Sequence, residues 1–394
     1  MKLSASANPG PVEDWRQGGF GIYLHWPYCL AKCPYCDFNS HVASNVDQGV
    51  WAERYLSEIR RIGQETEGRV VNSVYFGGGT PSLMDGETVT AILNEIRATW
   101  PLANDCEITL EANPGAVELG RFAAYRDAGV DRISIGVQAL NDLDLQRLGR
   151  LHDVTSALAA IRLARSLFGR VSFDLIYARQ NQSLQDWQDE LQQALDLEPD
   201  HLSLYQLTIE EGTVFARRHA AGHLKGLPEE DLSADMFDLT QERCEKAGLP
   251  AYEVSNHARE GQESRHNLIY WNAGDYAGIG PGAHGRLTLN GTRWATEAPR
   301  APNTWLKAVE DLRSDQRTAL SREDQAIEYV MMGLRTRKGL SMSRLNALGA
   351  GTFSPNRLSE LQESGLLLVE DDRLRATDQG RILLNRVIAQ LLGA

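Results

Sequence analysis

The densest chemistry in the chain is CLAKCPYC, which sets Cys29, Cys33 and Cys36 at CxxxCxxC spacing directly after the apolar run FGIYLHW (20–26). Three thiolates on one tight loop can each hold one iron of a [4Fe–4S] cube. Cys106 and Cys244 stand far along the chain, so no fourth cysteine is at hand and a fourth iron stays open. An open position suits catalysis or ligand binding, whereas a structural site is closed. The competing reading is a structural zinc held by the three cysteines with His25 or His41, although such sites usually use CxxC pairs. An odd cysteine count does not describe a disulfide framework.

Other candidate groups follow along the chain. Gly77-Gly78-Gly79-Thr80-Pro81 comes after a second β-rich run. Glycines let the backbone approach a ligand closely, but the run is neither GxGxxG nor GxxxxGK[ST], and a tight strand-to-helix turn explains it equally well. Glu111 follows ITL, Gln138 follows ISIGV, and Asp174 lies within VSFDLIY. Strand ends are where parallel barrels place active-site groups; singly, such residues are more often caps or solvated carboxylates. Arg150, in LGRLH, is either a solvated helix residue or a bidentate partner for a carboxylate. RHNLIYW supplies His266, Asn267, Tyr270 and Trp271. A neutral imidazole is a common axial ligand for haem iron, and the two aromatics could stack on a porphyrin while offering a hydrogen bond. The alternative is that His266 and Asn267 satisfy backbone groups while the aromatics pack a domain junction. Cys106 and Cys244 read as buried thiols, and Trp51, Trp187 and Trp305 as core anchors. His284, in GPGAHG, either lines a cavity or caps a turn.

The elements that must position these groups alternate. Strand-like runs at 20–26, 73–78, 106–112, 131–137, 170–177 and 201–207 are separated by helical patterns near 47–63, 86–99, 117–128, 153–167 and 184–197. Strand–helix alternation gives parallel strands with crossover helices, here an α/β fold built as a partial (β/α)6 barrel over 19–248. Residues 1–18 read as a flexible lead-in and 249–318 as an irregular connector carrying HNxxYW. Residues 319–394 read as three helices, a hairpin turning at Asp371-Asp372 and a last helix, a small winged-helix-like domain. Its basic and acidic side chains nearly balance, which favours packing or partner binding over reading DNA.

The chain has 394 residues, 42% hydrophobic and 24% charged, the composition of a globular protein. A net charge of −13 argues against nucleic acid as a partner. No run is long and apolar enough to span a membrane, and the start resembles neither signal nor transit peptide, so the expected compartment is the cytoplasm.

CxxxCxxC after the first strand of a six-unit (β/α) chain resembles the radical S-adenosylmethionine (SAM) superfamily. In that superfamily the open iron is chelated by SAM, and one electron from the cluster yields a 5′-deoxyadenosyl radical. Tyr35, just before the third cysteine, is usual there, and the GGGTP run is similar to the motif that holds the SAM amino group. From about Gly19 to the C-terminal domain the chain resembles one branch: the oxygen-independent coproporphyrinogen III oxidases and the radical-SAM haem chaperones (HemW). That resemblance implies that Tyr23, Gly78 and Glu111 contact the cluster-bound SAM. It places Gly79, Thr80, Gln138, Arg150 and Asp174 where the oxidases touch a second SAM. The relatives commonly continue DLIYGLPGQ where this chain has DLIYARQNQ (174–182).

Two features favour the chaperones over the oxidases. Phe38 stands where the oxidases carry an extra cysteine, and only a short segment precedes Cys29. The HNxxYW segment matches the chaperone signature. The resemblance implies haem as cargo, a haem-requiring recipient protein such as a respiratory enzyme, an electron donor, and peripheral contact with membrane-bound respiratory enzymes. The alternative is oxidative decarboxylation of coproporphyrinogen III.

Overall fold

The structure, a computed structural model, describes residues 14–349, 351 and 353–393. Most of the expected lead-in therefore lies outside the described residues.

Six strands form the centre: β1 (Phe20–Trp26), β2 (Val71–Gly78), β3 (Leu102–Ala112), β4 (Arg132–Gln138), β5 (Arg170–Tyr177) and β6 (His201–Gln206). Each pairs in parallel with the next. The crossovers are carried by α1 (Gln48–Glu65), α2 (Gly86–Thr99), α3 (Phe122–Ala128), α4 (Val154–Leu167) and α5 (Leu184–Leu195). Their starts are written locally. The Asp47, Asp153 and Ser183 side chains each accept a backbone N–H from three residues on, and Ser183 with Asp186 completes a capping box. Trp51, Tyr55, Ile59 and Ile62 then form one buried stripe along α1.

The strands carry two faces with opposite chemistry. Val74 and Phe76, Ile133 and Ile135, Phe173 and Leu175, Leu202 and Leu204 are buried in the large apolar core that includes the helices. The alternate positions are polar: Tyr75, Thr109 and Arg132 pair across β2, β3 and β4, and Glu111, Ser134, Ser172 and His201 across β3 to β6. Because side chains alternate along a strand, these polar groups share the concave face. β1 and β6 do not pair, so the barrel stays open.

The 249–318 span differs from the expected irregular connector by extending both edges of the sheet. β7 (Asn256–Ala258) runs antiparallel to β6; β8 (Asp275–Ile279) lies parallel to β1. β9 (His284–Leu289), β10 (Thr292–Glu297) and β11 (Gln316–Ala319) continue from β8 as an antiparallel meander. The resulting sheet has 11 strands. These edge strands are short and interrupted by glycines, so they carry too few alternations to register as a period in the sequence.

The C-terminal part has helices at Arg322–Gly333, Met342–Gly349 and Pro355–Glu363. The hairpin Leu367–Glu370 and Arg373–Ala376 is joined by Leu340–Ser341 into a three-stranded wing. It has its own apolar core around Val330, Leu345, Leu361, Leu374 and Val387. Arg344 ties it to the main body: its Nη2 meets Asp14 Oδ2 at 2.7 Å and its Nη1 donates to the Asn272 carbonyl at 2.6 Å. Among the described residues no helix is long and apolar enough to cross a membrane.

Candidate functional site

The cysteine loop and the strand ends enclose one cavity of about 320 Å3. Cys29, Cys33, Tyr35 and Cys36 line it from the loop; Gly78, Gly79, Thr80, Glu111, Gln138, Arg150 and Asp174 line it from the strand side. The glycine run is fastened to the strand that delivers the cysteines, since Gly79 N–H donates to Trp26 O at 2.7 Å and Thr80 N–H to Tyr28 O at 2.9 Å. A Cβ at Gly79 would stand 2.8 Å from the Tyr28 carbonyl oxygen, and one at Gly78, which sits at φ +111°, would stand 2.7 Å from the His25 ring. Only glycine permits that approach. Thr80 Oγ1 donates to Cys29 Sγ at 3.3 Å, and Arg150 Nη1 to Cys33 Sγ at 3.5 Å.

The donor set fits a cube better than a single ion. Among the described residues no three His, Cys, Asp or Glu side chains converge tightly enough to hold one metal ion. Thiolates that each serve a separate iron stand further apart than ligands of one zinc. His25, a suggested zinc ligand, has both ring nitrogens engaged, by Tyr23 OH at 3.1 Å and by Asn39 O at 2.9 Å. Burial pushes the thiols of Cys29 and Cys36 above the ordinary range in the metal-free chain, so metal binding would have to displace their protons.

Of the four carboxyls that line the cavity, Asp37, Glu111, Asp174 and Glu210, two are raised by burial. Burial raises Glu111 to about 7, partly offset by the Tyr75 hydroxyl, which donates to its Oε1 at 2.8 Å. Burial likewise raises Asp174 to about 6, partly offset by Ser203, Arg132, Arg150 and Ser134. Gln138 takes φ +74° where the pairing of β4 with β5 slips, a left-handed backbone rare outside glycine. Such strain collects at functional sites. Arg150 is not a solvated helix residue: it lies past the helix end, half-buried, and its Nη2 donates to Gly136 O at 2.8 Å and to Asn113 Oδ1. Asn113 is a site residue that sequence reasoning missed, and it also donates to Thr80 Oγ1 at 3.1 Å. It stands two residues past Glu111 in a loop, where no period marks it.

Beneath this cavity lies a second chamber of about 230 Å3, sharing Glu111, Ser134, Asp174 and Tyr205 as walls. Tyr23, expected at SAM, lines this chamber rather than the upper cavity. His266, Asn267 and Tyr270 line it too, from α7 (Arg265–Trp271; α6 is Glu230–Lys246). The His266 ring lies flat against Tyr75 at 4.8 Å and has both nitrogens occupied, Nδ1 by Ser73 Oγ at 2.7 Å and Nε2 by Tyr270 OH at 2.6 Å. Burial lowers its pKa to about 3, and Arg132 adds to that. The ring is neutral and presents no free lone pair to a haem iron. Its partners are side-chain hydroxyls, not the backbone groups of an irregular loop. Trp271 is half-buried and does not line the chamber; its Nε1 is buried without a partner among the described residues.

The loop DLIYARQNQ places two non-glycine residues in the left-handed region. Ala178 and Asn181 both adopt φ +58°, and Arg179 is held inside by Asp144 at 3.0 Å and by Glu190 at 2.5 Å. Of the remaining candidates, Cys244 is buried and Cys106 half-buried. Trp51, Trp187 and Trp305 are all in the core. His284 is exposed near Glu297 and lines neither chamber.

Residues 23–194 match the Radical SAM superfamily, and residues 320–383 match the HemN C-terminal domain. The heme chaperone HemW of Escherichia coli is 38% identical over 94% of this chain and 97% of its own length. The chain belongs to the radical-SAM haem chaperone (HemW) family. The mouse relative, radical S-adenosyl methionine domain-containing protein 1, mitochondrial, is 39% identical over 94% of this chain and 87% of its own. HemW relatives thus include mitochondrial ones, and family membership alone does not place a chain in the cytoplasm. The Radical SAM domain implies a [4Fe–4S] cluster and SAM. In fold the chain is similar to coproporphyrinogen III oxidase (HemN) from E. coli, with a TM-score of 0.80 at 22% identity over 95% of this chain and 90% of that one.

Proposed function

We propose that this protein is a haem chaperone: it binds haem while holding a [4Fe–4S] cluster and SAM, and passes the haem to a haem-requiring protein, a respiratory enzyme in the first instance. The observation that carries the cofactor half is the convergence of Cys29, Cys33 and Cys36 with Gly78, Glu111 and Arg150 on one cavity. The haem half is supported by the name of the HemW relatives.

In this reading Cys29, Cys33 and Cys36 would hold the cluster, with SAM beside Gly78, Gly79 and Glu111. Such a cluster supplies a single electron to SAM when bound. The chain's own residues prepare the place. The backbone at Gly78 and Gly79 leaves room for an amino group, and Glu111, once ionised, supplies the charge to hold it. Tyr75 fixes the Glu111 carboxylate from below, while Arg150 and Thr80 donate toward the thiolates of Cys33 and Cys29. Tyr35, Gln138 and Asp174 complete the wall. The barrel of 19–248 carries this site, the 249–318 segment closes its floor and sheet edges, and 319–394 packs as a separate domain. An electron donor and peripheral contact with membrane-bound respiratory enzymes belong to the same reading, as does a cytoplasmic setting.

The test is a pair of anaerobic assays on cluster-loaded protein. Saturable haem binding with no protoporphyrinogen formed from coproporphyrinogen III, SAM and reductant is expected. Clear decarboxylation would replace the chaperone by the oxidase, despite Phe38 standing at the extra-cysteine position.

A further inference from the structure

A third cavity, of about 1060 Å3, opens beside the cysteine cavity and shares the wall from Tyr205 to Thr208 with it. Its other sides come from the start of α6 and from the Arg381–Arg386 turn of the C-terminal domain. It has space for a ligand at the top of the range of small-molecule sites. Four large apolar side chains in its lining remain open to solvent: Tyr205 at 43%, Val254 at 36%, Ile382 at 50% and Leu383 at 46% exposure. Contiguous apolar surface of this kind marks a binding site more often than chance.

The polar part of the groove is cationic. Arg335, Arg381 and Arg386 all line it, and none forms a salt bridge among the described residues. Arg335 donates only to the Met331 carbonyl at 2.7 Å and to Asn385 Oδ1 at 3.0 Å. Arg381 donates through Nη2 to the Glu253 carbonyl at 2.8 Å, and its Nη1 is buried with no partner among the described residues. Burial opposes the charge of both; near Arg381 the repulsion of Arg337 adds to this, and Glu253 and Asp378 counter it. A desolvated guanidinium with an idle N–H is an acceptor-seeking group, and carboxylates are its best partners. Glu230 is the acidic side chain in the lining.

We infer that this groove is the haem-docking site, with the ring against Tyr205, Phe237 and Leu383 and the propionates on Arg335, Arg381 and Arg386. The occupant follows from the combination: a broad apolar slot wants a flat apolar body, and three guanidiniums without an ion pair among the described residues want more than one carboxylate on it. The inference rests on the haem-chaperone reading and gives it a place. It also moves the cargo away from His266, whose nitrogens are both in use. Among the described residues no His, Cys or Met lines the groove, and the lining's two phenols, Tyr177 and Tyr205, are held above their ordinary range and keep their protons, so the ring and propionates carry the binding and the iron is left without a strong axial ligand from the lining. A cargo held in this way can be taken by a recipient that offers such a ligand.

The test titrates cluster-loaded protein, anaerobically, with haem and with haem dimethyl ester, whose propionates are blocked. Wild-type protein is expected to bind the ester at least tenfold more weakly than haem. The variant R335E/R381E is expected to lose at least tenfold in haem affinity, and His266→Ala to titrate as wild type. Because Arg381 is partly buried, the exposed pair I382E/R386E provides a second variant that keeps the core. Iron content and thermal melts confirm folding. Wild-type affinity for haem in both groove variants, or equal affinity for haem and its ester, overturns the site. Absence of saturable haem binding by the wild type overturns the chaperone reading itself.

Discussion

The two chambers stacked inside the barrel share walls but are finished differently. Around the upper cavity, thiols face open space, two carboxyls are held above their ordinary range, and Gln138 is kept in a left-handed backbone. In the lower chamber Ser73, His266, Tyr270, Tyr75 and Glu111 form a continuous chain of contacts, and the groups left over there among the described residues are His201 Nδ1 and Arg132 Nε. Groups left wanting partners mark where a ligand goes, and groups already satisfied mark what holds the ligand's wall in place. A rare sequence signature such as HNxxYW can therefore belong to the supporting layer.

The sharpest way to break this contrast is to remove one thiol. Cys29→Ala, Cys33→Ala and Cys36→Ala are each expected to abolish the visible absorbance of the reconstituted cluster, with melting temperature of the metal-free chain little changed. Retained iron and sulfide would refute the assignment of the loop. His266→Ala is the opposite experiment. It strands the buried Ser73 and Tyr270 hydroxyls and opens a cavity beside Tyr75, for a stability loss of about 2–4 kcal/mol in denaturant melts. Cluster loading by the variant should survive; loss of iron at unchanged stability would put His266 in the metal site.

A smaller effect tests the upper carboxyls. Glu111 titrates near 7 in the folded chain against an ordinary value of 4.5, so the unfolded chain loses its proton first. Stability of the SAM-free protein should therefore fall as pH rises from about 4.5 to about 7 and level off above. Glu111→Gln removes this loss, and is expected to be more stable than wild type by about 1–3 kcal/mol at pH 8 and equal to it near pH 4. An equal advantage at both pH values would sink the explanation. The smallest effect belongs to Ala178, at φ +58°. Ala178→Gly relieves a strained backbone and is expected to add about 0.5–1 kcal/mol, read as a higher melting temperature; a lower one would show that the strain is not there.

The six parallel strands and their helices were legible because each is long enough for its period to show, as in RVSFDLIY and VTSALAAIRLARSL. The upper cavity was legible through strand ends, Glu111 and Gln138 among them. The lower chamber was not, although a signal was present. Ser73 and Tyr75, Arg132 and Ser134, Ser172 and Asp174, His201 and Ser203 repeat a polar residue at every second position. Reading strands only for apolar content passes over a concave polar face. The edge strands escaped because Asn256–Ala258 and its neighbours depend on long-range partners, not on local pattern. Arg150 was found as a candidate but not its partners, since the carbonyl of Gly136 has no representation in side-chain chemistry.

β1 brings the cysteine loop into position, yet one of its two neighbours is β8, which arrives some 250 residues later in the chain. During synthesis the strand that carries the metal-binding loop thus waits, one flank of amides and carbonyls bare, until residue 279 has left the ribosome. Chains halted before Asp275 would leave an adhesive edge, ready to join another unfinished copy.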